Sequence, residues 1–213
     1  SLDEIYAVVY SPAQMKDSLE SKLFGIGSES FVTGSHEFYL GYALSKGKMV
    51  CLDLGHFHPT ESVADKISAI LPFAPGLVFH LSRGIRWDSD HVVTFNDEIQ
   101  AVTEEIVRCQ ALDRTHIALD YFDASLNRVG AWVIGARAAL KGFLFALLLP
   151  EEKLQSAERA GNNFDRLALR EEFKTMPFGA VWDYFCLQSD VPAGAEWMND
   201  IARYEKEVLS LRT

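Results

Sequence analysis

Short, nearly continuous apolar runs recur along the first 120 residues, and each is bounded by glycine, proline or charged residues. Runs of this kind are typical of strands in a parallel sheet that is covered by helices on both faces. Three of them span residues 48–53, 77–81 and 115–120, and a less regular fourth ends at residues 18–20. The pattern therefore predicts four parallel strands.

The segments between these runs carry apolar residues at helical spacing. Helices are predicted at residues 38–45, 62–71 and 97–110, with Thr60 as the N-cap of the second. In the third, Ile99, Val102 and Ile106 form one apolar stripe. Strands that alternate with helices in this way predict an α/β fold. Beyond residue 120 only helical patterns follow, at residues 127–149, 151–174, 178–188 and 196–211.

Four strands are half of an eight-stranded TIM barrel, a fold that typically needs roughly 250 residues. The chain has 213 residues, and its last third contains no strand pattern. A half barrel would leave two sheet edges unpaired. If the fold is a barrel, we therefore expect a further segment that supplies the other strands.

Composition narrows the classes of partner and the compartment. The formal net charge is −10 without a visible basic cluster, so neither nucleic acid nor an anionic membrane surface is an expected partner. Cys51, Cys109 and Cys186 are far apart and form no CxxC pair, which favours a reducing compartment over a disulfide framework. The longest apolar run, residues 143–149, is far shorter than the roughly 18 residues of a membrane span. A cytoplasmic location is the expectation.

Each predicted strand ends in a side chain that can bind a metal. These residues are Glu20, Asp53, His80 and Asp120. The carboxyl ends of parallel barrel strands converge on one cavity, so we expect the four side chains to lie close together. One charged residue at a strand end marks only the point where the strand meets water. Four in succession, all Asp, Glu or His, favour a metal site.

Further candidate ligands follow the strands. His56 comes three residues after Asp53, across a glycine that permits a tight turn, and His58 is nearby. Asp88 and Asp90 are two residues apart, so in an extended chain they would face the same side. The alternative interpretations are an Asx turn for the aspartates and ordinary loop histidines for the imidazoles.

The size and chemistry of this ligand set predict the metals. Carboxylates with a minority of imidazoles suit Mn²⁺, Mg²⁺ or Co²⁺, and the number of candidates predicts two neighbouring cations. Lys22, two residues after Glu20, could face the same cavity or remain solvated.

At these residues the sequence closely resembles the L-rhamnose isomerase family. The resemblance is carried by long stretches at residues 20–27, 52–61, 86–93, 119–125 and 131–135, and it continues over nearly the whole chain. It implies a homotetrameric (β/α)₈ enzyme that interconverts L-rhamnose and L-rhamnulose by a metal-assisted hydride shift, with two manganese ions in each complete active site.

The resemblance also assigns roles to individual residues. One ion, the structural one, would be held by Glu20, Asp53, His80 and Asp120. The catalytic ion would be held by His56, Asp88 and Asp90, with Asp53 as a candidate bridge. Lys22 matches a family position near the sugar, so the implied catalytic residues are Asp88, Asp90 and Lys22.

Family members have a further N-terminal half to which nothing in this sequence corresponds. The resemblance therefore implies the C-terminal half of a TIM barrel, about strands 5–8, followed by a helical extension. Residues 1–126 would be a partial (β/α) barrel that carries the metal ligands, and residues 127–213 the last barrel helix and the C-terminal helical extension. The partners implied are a sugar substrate and the missing half of the barrel.

Two alternatives stay open on the sequence alone. His56 and His58 form the His-x-His pattern of amidohydrolase barrels, so a metal-dependent hydrolase is one. The other is an inert fragment that needs its N-terminal half. A metal-dependent DNA-repair barrel is disfavoured by the net charge of −10.

Overall fold

A parallel sheet forms the centre of the first part of the chain. The computed structural model describes residues 2–85 and 88–212, with the side chains of residues 85 and 88–90 outside the description. The strands are β1 (Ser18–Glu20), β2 (Met49–Asp53), β3 (Leu77–Leu81), β4 (Arg83–Ile85), β5 (Asp88–His91) and β6 (Thr115–Leu119). Strands β1, β2, β3 and β6 lie side by side in that order, all parallel, whereas β4 and β5 form an antiparallel pair.

Burial in the sheet is greatest at its centre. Every residue of β2 is buried, and Leu77, Phe79 and Leu81 of β3 are buried as well. At the edge, β6 exposes its three middle residues, residues 116–118. The two central strands therefore anchor the core, and β6 leaves much of its surface uncovered.

Helices surround the sheet and then continue alone to the end of the chain. They are α1 (Leu2–Ile5), α2 (His36–Ser45), α3 (Ala64–Ile70), α4 (Asp97–Arg108), α5 (Arg128–Leu148), α6 (Glu151–Arg159), α7 (Asn163–Phe173), α8 (Phe178–Gln188) and α9 (Trp197–Glu207). The side chains of Ser35, Asn96 and Asn127 accept hydrogen bonds from backbone N–H groups at the starts of α2, α4 and α5. These N-caps satisfy donors that have no partner within the helix.

The predicted α/β class, with a parallel sheet and many helices, is confirmed. Two predicted helix boundaries are wrong. Helix α3 begins at Ala64 after Val63, and Thr60 instead contacts the ring of His58. The single helix predicted over residues 151–174 is two helices, because Gly161 between them adopts a left-handed φ of 68° that ends α6.

Helix α5 is long and apolar enough to cross a membrane by length and composition, the one such helix among the described residues. Core helices of globular proteins meet the same criterion. In this chain α5 packs against α4, α8 and α9. Its Gly142 lies so close to α4 that a Cβ there would be 2.9 Å from the Ile99 side chain.

Candidate metal centre

The four predicted strand-end ligands converge at the carboxyl edge of the parallel sheet. One ligand atom from each of Glu20, Asp53, His80 and Asp120 lies within 4.8 Å of the others. The Nδ1 atom of His80 is 3.2 Å from Glu20 Oε2, 3.7 Å from Asp53 Oδ2 and 3.0 Å from Asp120 Oδ2. The register brings two of them together directly, since Asp53 and His80 are cross-strand partners. The other two are offset by two positions, because Glu20 pairs with Cys51 and the partner of His80 is Ala118. We call these four residues the four-ligand cluster.

Several polar atoms of the cluster are buried but unsatisfied. Among the described residues, Glu20 Oε1, Asp53 Oδ2 and His80 Nδ1 have no partner in hydrogen-bond geometry. Buried polar atoms without a partner are rare because they cost free energy, and a bound ion is one usual explanation. A cation bound between the four side chains would neutralise the carboxylates and give these buried atoms a partner charge, so the residues fit a bound metal.

The carboxylate of Asp53 is held in place from one side only. Its Oδ1 accepts hydrogen bonds from the backbone N–H of Gly55 at 2.7 Å and from the Ser82 hydroxyl at 2.6 Å. Its side chain is fully buried, and Oδ2 is left directed towards His80. Such a hydrogen-bonded carboxylate is typical of a ligand that is oriented by its surroundings.

The protonation states at the cluster also favour a cation. Burial tends to raise the pKa of Glu20, but the imidazoles of His56 and His80 outweigh it and lower this pKa to about 2. Contacts with the Cys51 thiol and with Glu20 raise the pKa of His80 to about 11. Burial raises the pKa of Asp53. In the absence of a metal, a proton on His80 therefore supplies the positive charge that the carboxylates attract.

His56 borders the cluster. Its Nδ1 is 2.9 Å from Glu20 Oε1 and 3.0 Å from the carbonyl oxygen of Ser21, and its Nε2 is 3.9 Å from Asp53 Oδ2. A 3₁₀ turn, Leu54–His56, directly after β2 brings it there. Burial tends to lower the pKa of His56, but Glu20 and Asp53 reverse this and raise it. His58 instead contacts Thr60, with its Nδ1 2.7 Å from the Thr60 hydroxyl.

The second predicted ligand pair, Asp88 and Asp90, has side chains outside the described residues. The backbone of residues 88–91 is a strand and is therefore extended, as the spacing argument requires. Their role as ligands stays a prediction.

A cavity of about 510 Å³ opens beside the cluster. Its lining includes Glu20, His56, Asp120 and the predicted Lys22. The Lys22 ammonium is not simply solvated, because it forms an ion pair with Glu29 at 3.2 Å. The cavity has room for a small polar ligand with direct access to the cluster.

Sequence reasoning missed two residues that contact the cluster. Cys51 precedes Asp53 by two positions on β2, so the period of a strand places both on one face. Ser82 follows His80 by two positions and supports Asp53. The alternation of side chains along a strand could have indicated Cys51. Nothing in the sequence pairs Ser82 with Asp53, which is 29 positions away.

Comparison with known proteins identifies relatives of the whole chain. A sequence model of the L-rhamnose isomerase (RhaA) family matches residues 1–212. The L-rhamnose isomerase of Rhodopirellula baltica is 57% identical over 213 residues, which are 100% of this chain and 50% of that protein. The L-rhamnose isomerase of Escherichia coli O1:K1 / APEC is 54% identical over 212 residues, 100% of this chain and 51% of that protein.

The chain thus spans about half the length of the curated relatives that it matches. The match extends across the strands, the four-ligand cluster and the helical tail alike. The chain belongs to the L-rhamnose isomerase family.

Proposed function

We propose that this chain is the metal-binding part of an aldose–ketose isomerase that interconverts L-rhamnose and L-rhamnulose. The observation that carries the proposal is the convergence of four ligand atoms within 4.8 Å, in a chain whose relatives are named L-rhamnose isomerases. Because the chain spans about half of those relatives, we assign the activity to the complete protein and not to these 213 residues alone.

The four-ligand cluster would hold one cation. A second would be held by His56, Asp88 and Asp90, with Asp53 as a candidate bridge between the two. Oxygen-rich ligands with a minority of imidazoles suit Mn²⁺ in both places, with Mg²⁺ or Co²⁺ as alternatives. When bound, such cations polarise sugar oxygens and stabilise the negative charge that develops during a hydride shift between C2 and C1.

Residues of this chain would orient the sugar and move its proton. Asp88 and Asp90 would position the water that accepts the proton of the O2 hydroxyl. Lys22 lines the cavity and, while Glu29 fixes its position, can donate to a sugar oxygen. The low pKa of Glu20 keeps its carboxylate ionised at neutral pH, so that it stays available as a ligand.

The sheet supports the assignment of residues 1–126 to the C-terminal half of a TIM barrel. Its four strands are parallel neighbours, and functional groups cluster at their carboxyl ends, as in barrels of this class. Residues 127–213 would be the last barrel helix and the C-terminal extension. The remaining strands would come from an N-terminal half outside this sequence, and the complete enzyme would be a cytoplasmic homotetramer.

The hydrolase alternative needs the two histidines of the His-x-His pattern at one metal. Only His56 borders the cluster, since the His58 ring contacts Thr60 and lines a different cavity. The isomerase is therefore the better-supported function.

The test is an assay of the complete protein for L-rhamnulose formation from L-rhamnose, together with its metal content. We expect activity with Mn²⁺, and in Glu20→Gln a loss of activity and of the Mn²⁺ held by the four-ligand cluster. The control Glu152→Gln changes an acid on α6, outside the site, and should retain both. Asp88→Asn and Asp90→Asn should abolish turnover and leave the fold intact. Full activity in Glu20→Gln, or none in the wild type, would contradict the proposal.

A further inference from the structure

The residues that follow β1 form a closed loop. Lys22 and Gly34 make an isolated antiparallel bridge, in which the Gly34 N–H donates a 2.9 Å hydrogen bond to the Lys22 carbonyl. A 3₁₀ helix, Gly27–Val32, lies between them, and Gly25 packs so closely on the loop backbone that a Cβ there would lie 2.5 Å from it. Residues 22–34 are therefore a compact Ω-loop, which we call the β1 loop.

The outer surface of the β1 loop is apolar. Phe31 is 91% exposed and Ile26 is 82% exposed. Glu29 is the one charged residue in the sequence of residues 23–34, and it is paired with Lys22. The exposed apolar side chains of the loop, which we call its apolar tip, belong to Leu23, Phe24, Ile26, Phe31 and Val32. Several exposed apolar side chains on one compact loop are typical of an interaction surface.

The β1 loop also borders the cavity beside the four-ligand cluster. Lys22 at its base and Val32 in its tip line this cavity together with Tyr39. The Tyr39 hydroxyl donates a 3.3 Å hydrogen bond to the Val32 carbonyl, and Glu29 pairs with the Lys22 ammonium at 3.2 Å. The position of the loop therefore determines where the Lys22 ammonium lies in the cavity.

The free edge of β1 indicates what covers the apolar tip. Among the described residues β1 pairs only with β2, and the β1 loop begins two residues after β1 ends. The relatives are about twice as long as this chain, and in the barrel proposed above a preceding strand occupies this edge. Connections that follow neighbouring parallel strands leave at the same end of a barrel. The connection after the preceding strand would therefore lie against the β1 loop.

We propose that the apolar tip is the docking surface for this connection in the complete protein, and that the contact fixes Lys22 at the cavity. The inference rests on the barrel and the sugar-binding role of Lys22 in the proposed function. The occupant is an apolar segment of the same polypeptide, because the tip offers no free charge to a charged partner. Docking removes Phe31 and Ile26, the two most exposed apolar side chains of the loop, from water.

The test places a photoreactive phenylalanine analogue at position 31 of the complete protein, which is then irradiated and analysed by peptide mass spectrometry. We expect a cross-link within one polypeptide, to the connection that follows the strand paired with β1. The same analogue at Phe73 is the control, because this residue is 74% exposed but lies four residues before β3, at the other end of the sheet. A cross-link from position 31 to a second copy of the protein, or none to the preceding part of the chain, would overturn the proposal.

A substitution measures the effect on Lys22. In the complete protein, Phe31→Ser should raise the KM for L-rhamnose about tenfold, because a displaced Lys22 no longer contacts the sugar. The Mn²⁺ affinity of the four-ligand cluster should not change, and Phe73→Ser should alter neither quantity. An unchanged KM in Phe31→Ser would contradict the link between docking and Lys22.

The photoreactive analogue at Ile26 repeats the cross-linking with Phe31 intact, so the test does not depend on how Phe31→Ser folds. Cross-linking requires no turnover either. A wild type that cross-links as expected but forms no L-rhamnulose would therefore refute the proposed activity and leave the docking surface in place.

Discussion

The two carboxylate oxygens of Asp53 have different surroundings, because one is hydrogen-bonded by the protein and the other faces the four-ligand cluster. Oδ1 accepts hydrogen bonds from Gly55 and Ser82, whereas Oδ2 is directed at His80. A carboxylate held in this way has already lost its rotational freedom before a metal binds. Ser82 is therefore a positioning residue for the cluster and does not itself belong to the ligand set.

Ser82→Ala removes one of these hydrogen bonds. We expect the Mn²⁺ affinity of the complete protein to fall about tenfold, since loss of a group that orients a ligand typically costs 10–100-fold. Isothermal titration calorimetry measures this change. Ser45→Ala is the control, because its hydroxyl also donates a hydrogen bond, to the Tyr42 carbonyl, but is exposed and remote from the cluster. Equal Mn²⁺ affinities for the two variants would rule out the positioning role.

At this scale the sequence predicted the convergence of the strand-end residues correctly, because parallel strands impose it. It did not predict that His58 would turn towards Thr60 while His56 reaches Glu20. The direction of each loop histidine depends on the 3₁₀ turn after β2, and the pattern of apolar residues carries no information about that turn.

At the scale of elements, helix α5 fixes the end of the last parallel strand. Tyr121 directly follows Asp120, and its hydroxyl donates a 2.7 Å hydrogen bond to the Ala131 carbonyl on α5. The tyrosine ring lies against Gly135, where any Cβ would overlap the hydroxyl. The absence of a side chain at Gly135 therefore allows α5 to hold the strand end that carries Asp120.

Gly135→Ala should destabilise the protein by about 1–3 kcal/mol, the usual cost of overpacking, and should also weaken metal binding by displacing Asp120. Chemical denaturation and a Mn²⁺ titration measure the two effects. Gly41→Ala is the matched control on α2, since a Cβ there meets nothing within 4 Å. That variant should gain about 0.5–1 kcal/mol, because glycine inside a helix is unfavourable. A neutral result for Gly135→Ala would show that Tyr121 does not need this contact.

The four parallel strands were predicted to within one residue from apolar runs, because only a short run fits a buried parallel strand. The antiparallel pair β4 and β5 was not predicted, because its residues form no apolar run. The break between α6 and α7 was not predicted. A glycine within a helical pattern can be tolerated or can end the helix, and the left-handed φ of Gly161 decides between the two only in the folded chain.

At the scale of the molecule, the four-stranded sheet has two open edges among the described residues, at β1 and β6. The β6 edge exposes His116, Ile117 and Ala118. Unpaired strands of this kind are templates for pairing with another chain. No sequence pattern within these residues specifies how a barrel would close, because closure depends on strands that would come from elsewhere.

We expect the isolated 213-residue chain to self-associate through this edge, and Ile117→Lys to weaken that association about tenfold, or by about 1.4 kcal/mol. Analytical ultracentrifugation measures the change. Phe164→Lys introduces the same charge at an 80% exposed phenylalanine on α7, away from the edge, and should leave association unchanged. If Phe164→Lys had the larger effect, the helical tail and not the sheet edge would be the self-association surface.

The four ligands of the cluster lie between residues 20 and 120, on consecutive neighbours in one sheet. Genetic recombination ahead of β1 would therefore transfer the whole ligand set as one block. Directed evolution of the complete protein that we propose could therefore exchange the segment ahead of β1 and inherit the four-ligand cluster unchanged.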